Sequence, residues 1–237
     1  MLMGCLGTDV ALEALVTVFE DADETLVPGF GFAWFAPDDL PVAYRSVAPA
    51  LLDDNLDALS RALYADCWLA QTGFGLTPAA PQPLHDDDLM AVIAFDPADW
   101  PALRAALREH LDPDIEAGLD YTDPGASVFA LLRNVLTADA ELPVEDAVLE
   151  LVAQLAAMLD GMPATLTMLL SDGDRVLALR RAWGQDCAPL MYSTASEVLD
   201  GAQVVASQAL DDSPWQSVPA HHLLVLDRER PPELINA

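Results

Sequence analysis

The sequence predicts an α+β layered fold, on three observations. Apolar, strand-like segments fill the first part of the chain, helical periodicity the middle, and short strands return after Pro163. At 237 residues and 53% hydrophobic content, with five Trp and seven Phe, the chain can bury a substantial core and is not a disordered one. No long Pro/Gly/Ser linker and no internal repeat divides it, so residues 1–237 are expected to form a single domain.

The elements follow in order. Phe30-Gly-Phe-Ala-Trp-Phe35 is aromatic and bounded by Pro28-Gly29 and Pro37-Asp38-Asp39, the pattern of a buried strand between turns. Asp53 or Asp54 can cap a helix carrying Leu56, Leu59, Leu63 and Tyr64. Cys67–Ala70 and Leu89–Phe95 read as strands, and Leu103, Leu107 and Leu111 describe a helix over 98–110 with Pro101 near its start. Two more helices are expected, Val128 to Leu136 and Val144 to Leu159. The second has Glu145 and Asp146 in its first turn, where the helix dipole favours acids, and Gly161 as its stop. The closing strands are placed at 166–170, 175–179, 190–192, 204–207 and 223–226, with Ser171-Asp-Gly-Asp174 as a hairpin turn.

Charge excludes several function classes. There are 39 acidic residues against 10 basic, a net charge of −29, and every basic residue is Arg. Nucleic acid and anionic membrane surfaces both require a cationic footprint, so neither is an expected partner. No apolar run approaches the roughly 20 residues that span a bilayer. The acidic surface has two readings: a composition suited to high salt, or a face for a basic partner at Asp53-Asp54, Asp86-Asp87-Asp88 and Asp211-Asp212. No metal is expected, because Asp86–Asp88 lacks the alternating ligands and glycine of a calcium loop. Cys5, Cys67 and Cys187 have neither metal-like spacing nor an even count for disulfides, which suits a reducing cytoplasm. His221-His222 precedes a strand whose alternation separates them, giving one surface and one half-buried imidazole. The five tryptophans read as core or layer-edge residues, and no Gly-x-Ser-x-Gly elbow supports a serine hydrolase.

An ordered series of segments carries a family resemblance. Pro28-Gly-Phe-Gly-Phe-Ala-Trp-Phe35, Tyr44-Arg-Ser46 with Asn55-Leu56, Phe129-Ala-Leu-Leu132, Leu166–Asp174, Ala178-Leu-Arg180 and Val204–Trp215 with Val218-Pro219 together resemble the class II glutamine amidotransferases. These are N-terminal nucleophile hydrolases, and the stand-alone subgroup that includes the ergothioneine-pathway γ-glutamyl hydrolase is the most similar. The resemblance implies a four-layer α-β-β-α sandwich with its active site at one edge of the paired sheets. No cofactor is implied.

The resemblance also shows where the catalytic residues should be. The family opens Met-Cys-Arg, then two residues and Gly-Tyr-Leu-Gly. Aligning Gly4-Cys-Leu-Gly7 with the latter leaves no position for the nucleophile, and Leu2 is too large a second residue for removal of Met1 to be expected. The family's Ala-His-Val-Arg, whose arginine clamps the substrate carboxylate, becomes Ala70-Gln71-Thr72-Gly73. Its Thr-His-Pro-Phe becomes Pro81-Gln82-Pro83-Leu84, and its Ala-His-Asn-Gly falls on Val92-Ile93-Ala94-Phe95. Ala94 therefore stands for the oxyanion-hole asparagine, and Phe95 is expected to intrude on that space. Asp123 is the candidate for a retained substrate-binding aspartate, its competing reading being a turn residue before Pro124-Gly125.

The expected remnant pocket is thus Gln71, Gly73, Gln82, Ile93, Ala94, Phe95 and Asp123, without catalytic groups. The implied function is a pseudoenzyme acting through a protein partner or as a homo-oligomer. Two alternatives stand beside it. In one, removal of Met1–Gly4 exposes Cys5 as the nucleophile of an amidohydrolase, although a small buried hydrophobe is the simpler role for that residue. In the other, the remnant pocket senses a small ligand.

Overall fold

The computed structural model describes residues 1–21, 29–73, 83–86 and 88–237. Its first strand, β1 (Leu2–Ala11), runs without a break into helix α1 (Leu12–Asp21). Strands β2 (Phe30–Phe35) and β3 (Pro41–Ser46) form a hairpin, and β4 (Tyr64–Thr72) follows helix α2 (Asp54–Ser60). The Asp53 carboxylate caps α2 by accepting the N–H groups of Asn55 and Leu56 at 3.0 and 3.2 Å. This helix ends at Ser60, short of the expected Leu63 and Tyr64, because the chain must turn at Arg61 to begin β4.

Next come β5 (Leu84–His85) and β6 (Met90–Pro97), then helices α3 (Trp100–His110), α4 (Pro113–Glu116), α5 (Pro124–Ala138) and α6 (Val144–Leu159). The last matches its expected bounds, and its chain reverses through left-handed Asp160 and Gly161. The remaining strands are β7 (Ala164–Ser171), β8 (Arg175–Trp183), β9 (Met191–Ser193), β10 (Gln203–Ala206), β11 (Gln216–Ser217), β12 (His222–Asp227) and β13 (Glu233–Asn236).

Two antiparallel sheets result, in the orders β11-β9-β10-β1-β4-β2-β3 and β13-β12-β8-β7-β6-β5. Strand alternation divides the core into three slabs. Leu2, Leu6, Leu69, Met90, Val92 and Leu169 pack between the sheets. Met3, Cys5, Phe30, Phe32 and Trp68 face Leu12 and Leu15 of α1 and Leu56 of α2. On the far side, Ile93, Phe95, Leu166 and Met168 face α3, α5 and α6 through Leu103, Leu107, Leu131, Leu151 and Leu155. The order is helix, sheet, sheet, helix. Gly4 lets the sheets close, since a Cβ there would lie 3.1 Å from both Leu69 and Val176.

His221 is exposed and His222 half-buried, and all five tryptophans are buried or half-buried. Among the described residues no helix is long and apolar enough to cross a membrane.

Candidate functional site

The site expected from the sequence lies where β4 ends. Gln71 pairs with Leu2 on one side and Gly31 on the other, and is half-buried. It shares the parity of Cys67 and Leu69, so its side chain belongs to the inter-sheet face. Gly73 follows the strand and gives its N–H to the Gly29 carbonyl at 2.9 Å. The Met1 amino group donates to Thr72 Oγ1 at 2.5 Å, and the Leu2 N–H to Ser207 Oγ at 3.3 Å.

Opposite this sheet, the three β6 candidates part company. Ala94 lies with Val92 on the inter-sheet face, half-buried. Ile93 and Phe95 turn the other way into the helix-side core, where Phe95 is 7% exposed. The expectation that Phe95 intrudes on the space beside Ala94 is thereby corrected: alternation along β6 directs its ring toward the helices. Gln82 lies outside the described residues.

Asp123 is the N-cap of α5, its Oδ1 accepting the Gly125 N–H at 2.8 Å. This helix start presses on β6, since a Cβ on Gly125 would lie 3.0 Å from the Ile93 carbonyl oxygen. Burial raises the Asp123 carboxyl above the ordinary range, against the lowering effect of the Gly125 and Ala126 N–H groups. Ionisation is thus disfavoured by folding, and the stability penalty grows as pH rises from the unfolded value through the folded one. Asp123→Asn keeps the acceptor and removes that penalty. It is expected to hold or slightly raise the neutral-pH melting temperature, whereas Asp123→Ala loses about 1 kcal/mol.

Cys5 is in the middle of β1, paired with Trp68 on one side and Val204 on the other, and is 0% exposed. Burial, with a smaller push from Cys67, holds its thiol far above the ordinary range, so no thiolate forms. Before it, Met3 and Gly4 pair with both β4 and β10, and Leu2 pairs with β4. Exposing Cys5 as a terminus would strip the centre of this sheet. Burial likewise pushes the Cys67 thiol up to about 12, partly relieved by Ser171 Oγ at 3.1 Å.

The three acidic clusters also have internal duties. Besides capping α2, Asp53 takes the Tyr44 hydroxyl at 3.0 Å, and Asp86 pairs with Arg133. Asp211 Oδ1 accepts the Ser213 N–H and the Trp215 Nε1–H at 3.0 and 2.8 Å. Its Oδ2 accepts the Ser196 hydroxyl and the Val198 N–H at 2.7 and 3.1 Å. The sequence offered these carboxylates either as a high-salt surface or as a partner's face, and did not show their local donors. Among the described residues no group of three or more His, Cys, Asp or Glu is arranged to hold a metal ion.

Comparison with known structures bears on the architecture. A glutamine aminotransferase class-II domain protein from Silicibacter pomeroyi superposes with a TM-score of 0.76 at 19% identity, covering 99% of this chain and 98% of its own. The fold is that of the class II glutamine amidotransferase domain. The glutamine phosphoribosylpyrophosphate amidotransferase from B. subtilis, in complex with ADP and GMP, gives 0.67 at 12% identity; the match covers 99% of this chain but 48% of that one. A predicted glutamine amidotransferase from Pseudomonas aeruginosa gives 0.57 at 15% identity, over 100% and 99% of the two chains. No protein-family model matches the sequence, nor does any curated protein.

Set on the amidotransferase fold, Gln71, Gly73 and Ala94 are the expected residues that remain at the inter-sheet edge. Ile93 and Phe95 belong to the helix-side core, with Asp123 capping the helix start against Ile93.

Proposed function

We propose that this chain is a catalytically silent protein of the amidotransferase fold, acting in the cytoplasm by binding: a regulatory or scaffolding subunit of a partner enzyme, or a self-associating one. The observation that carries the reading is the pair Gly73 and Ala94. At the first position the resemblance calls for a guanidinium to clamp a carboxylate, and there is no side chain. The backbone N–H there is already given to Gly29. At the second, a methyl group replaces an oxyanion-hole amide, a donor whose loss costs about 3 kcal/mol, or roughly a hundredfold in rate. The buried, protonated Cys5 supports the same reading.

The test is ammonia release from L-glutamine and γ-glutamyl amides by the purified protein, followed by native mass measurement of the protein from its own source. No release above buffer is expected, and Cys5→Ala should change nothing. Release that Cys5→Ala abolishes would overturn the proposal in favour of an amidohydrolase. A mass equal to one chain alone would remove the subunit role.

A further inference from the structure

A cleft lies at the other end of β4 from Gln71 and Gly73, roughly 20 Å away at strand rise. Its volume is about 850 Å³, within the range of small-ligand sites. It is built where the β2–β3 turn, the start of β4 and the β7–β8 turn meet.

Three aromatic side chains form its walls: Trp34, Phe35 and Tyr64. Trp34 is backed by Trp68, with ring centroids 5.5 Å apart. Phe35 is pinned against Gly173, where a Cβ would meet the ring at 3.4 Å. Tyr64 is 59% exposed although the chain places most of its aromatic residues inside.

Among the described residues six aspartates line the same space, Asp9, Asp39, Asp66, Asp88, Asp172 and Asp174, with one lining cation, Arg228, while Arg175 pairs with Asp172 from beside it. On a chain of net charge −29 carboxylates alone would signify little. What distinguishes this cleft is how that one cation is held. Arg228 Nη1 meets Asp66 Oδ2 at 2.9 Å and Nη2 donates to the Gly173 carbonyl at 2.9 Å. The wall thus already presents a carboxylate and a carbonyl spaced for a planar guanidinium. Asp9, Asp39 and Asp174 have carboxylates with no partner among the described residues, leaving charge for a second cation. Rings beside carboxylates suit a flat cation on an alkyl stem better than a compact hydrated ion.

We propose that this cleft binds a guanidinium-bearing ligand, stacked on Tyr64 and Trp34 and neutralised by the aspartates around them. The site is separate from the Gly73–Ala94 edge, and ammonia release there would leave it standing.

The probe is Nα-acetyl-L-arginine methylamide, titrated calorimetrically at about 0.15 M ionic strength, where long-range attraction is largely screened. Saturable one-to-one binding is expected. Tyr64→Ala should weaken it about fivefold and Tyr64→Phe should not, since the ring face carries the contact. Asp174→Asn should weaken it about threefold, while Glu109→Gln, the same charge change on the exposed side of α3, should leave it unaltered. Arg228→Gln frees the Asp66–Gly173 seat and should tighten binding, an outcome a merely structural arginine would not give. Unsaturable uptake, or equal weakening by Glu109→Gln and Asp174→Asn, would overturn the proposal as counter-ion condensation. The same arginine within an alanine-flanked peptide distinguishes the source. Tighter binding of the peptide assigns the site to a partner protein's arginine, and equal binding to a free guanidine; both support the cleft.

Discussion

Trp68→Ala is expected to lower the unfolding free energy by about 4 kcal/mol. The indole is 0% exposed at the centre of β4, with Cys5 opposite it on β1 and Trp34 on β2. Truncation removes that volume from the slab beneath α1 and α2, where Phe30, Phe32 and Leu56 are each packed at 1% exposure or less. It also removes the Nε1–H donated to the Val10 carbonyl at 2.9 Å, leaving a buried acceptor unmet. Because Trp34 leans on this ring, the variant should also loosen one wall of the cleft. Urea unfolding at neutral pH gives the first quantity, and the arginine titration the second. Trp68→Phe should recover about half of the lost stability, as the apolar volume returns without the donor. A loss below about 1 kcal/mol in the alanine variant would mean that the slab re-forms around the gap.

Asp211→Asn is the second large effect, expected at about 3 kcal/mol for a change of a single atom pair. Both carboxylate oxygens receive two donors each, so an amide must turn its NH₂ against two of them whichever way it is flipped. Burial alone would raise this carboxyl. The hydrogen bonds from Ser213, Ser196, Val198 and Trp215 outweigh it and hold the group far below the usual carboxylate range. A depressed folded value gives stability that is present above the unfolded pKa, about 3.9, and is lost as pH falls toward the folded one. Acid titration of stability should therefore be steeper in the parent protein than in Asp211→Asn below about pH 4. Parallel curves would mean the carboxylate is not the group that holds the loop between β10 and β11.

How much of this was legible in the sequence depended on whether a segment carried its own boundary signals. β2 is recovered at both ends because an aromatic run is bracketed by Pro28-Gly29 and by Pro37-Asp38-Asp39. α6 is recovered because acids open it and Gly161 closes it. β1 carried no such signal. Its first five residues are buried on both faces, so period-two alternation is absent, and left-handed Asp9 shifts the register between Leu6 and Val10. α1 starts directly from that strand, so no turn announced it. For the candidate site, resemblance located Gln71, Gly73 and Ala94, but not the face each occupies. Phe95 was misassigned for that reason, since a one-residue step on a strand reverses the side chain. The cleft was invisible because its lining comes from separate turns, none unusual alone.

The place of β1 has a consequence for the order in which the chain can assemble. It pairs Met3 with Ala206 and Cys5 with Val204, so one edge of the strand is locked to residues made some two hundred positions later. The β6–β7 and β7–β8 pairings, with α3 to α6 between the first two strands, lie within a much shorter stretch. Loop closure favours that half early, and β1 with β4 on one edge, whereas the other edge of β1 must wait for β10. During synthesis that edge of β1 therefore emerges long before its partner, and the sheet that carries it closes only once β9 to β11 have left the ribosome.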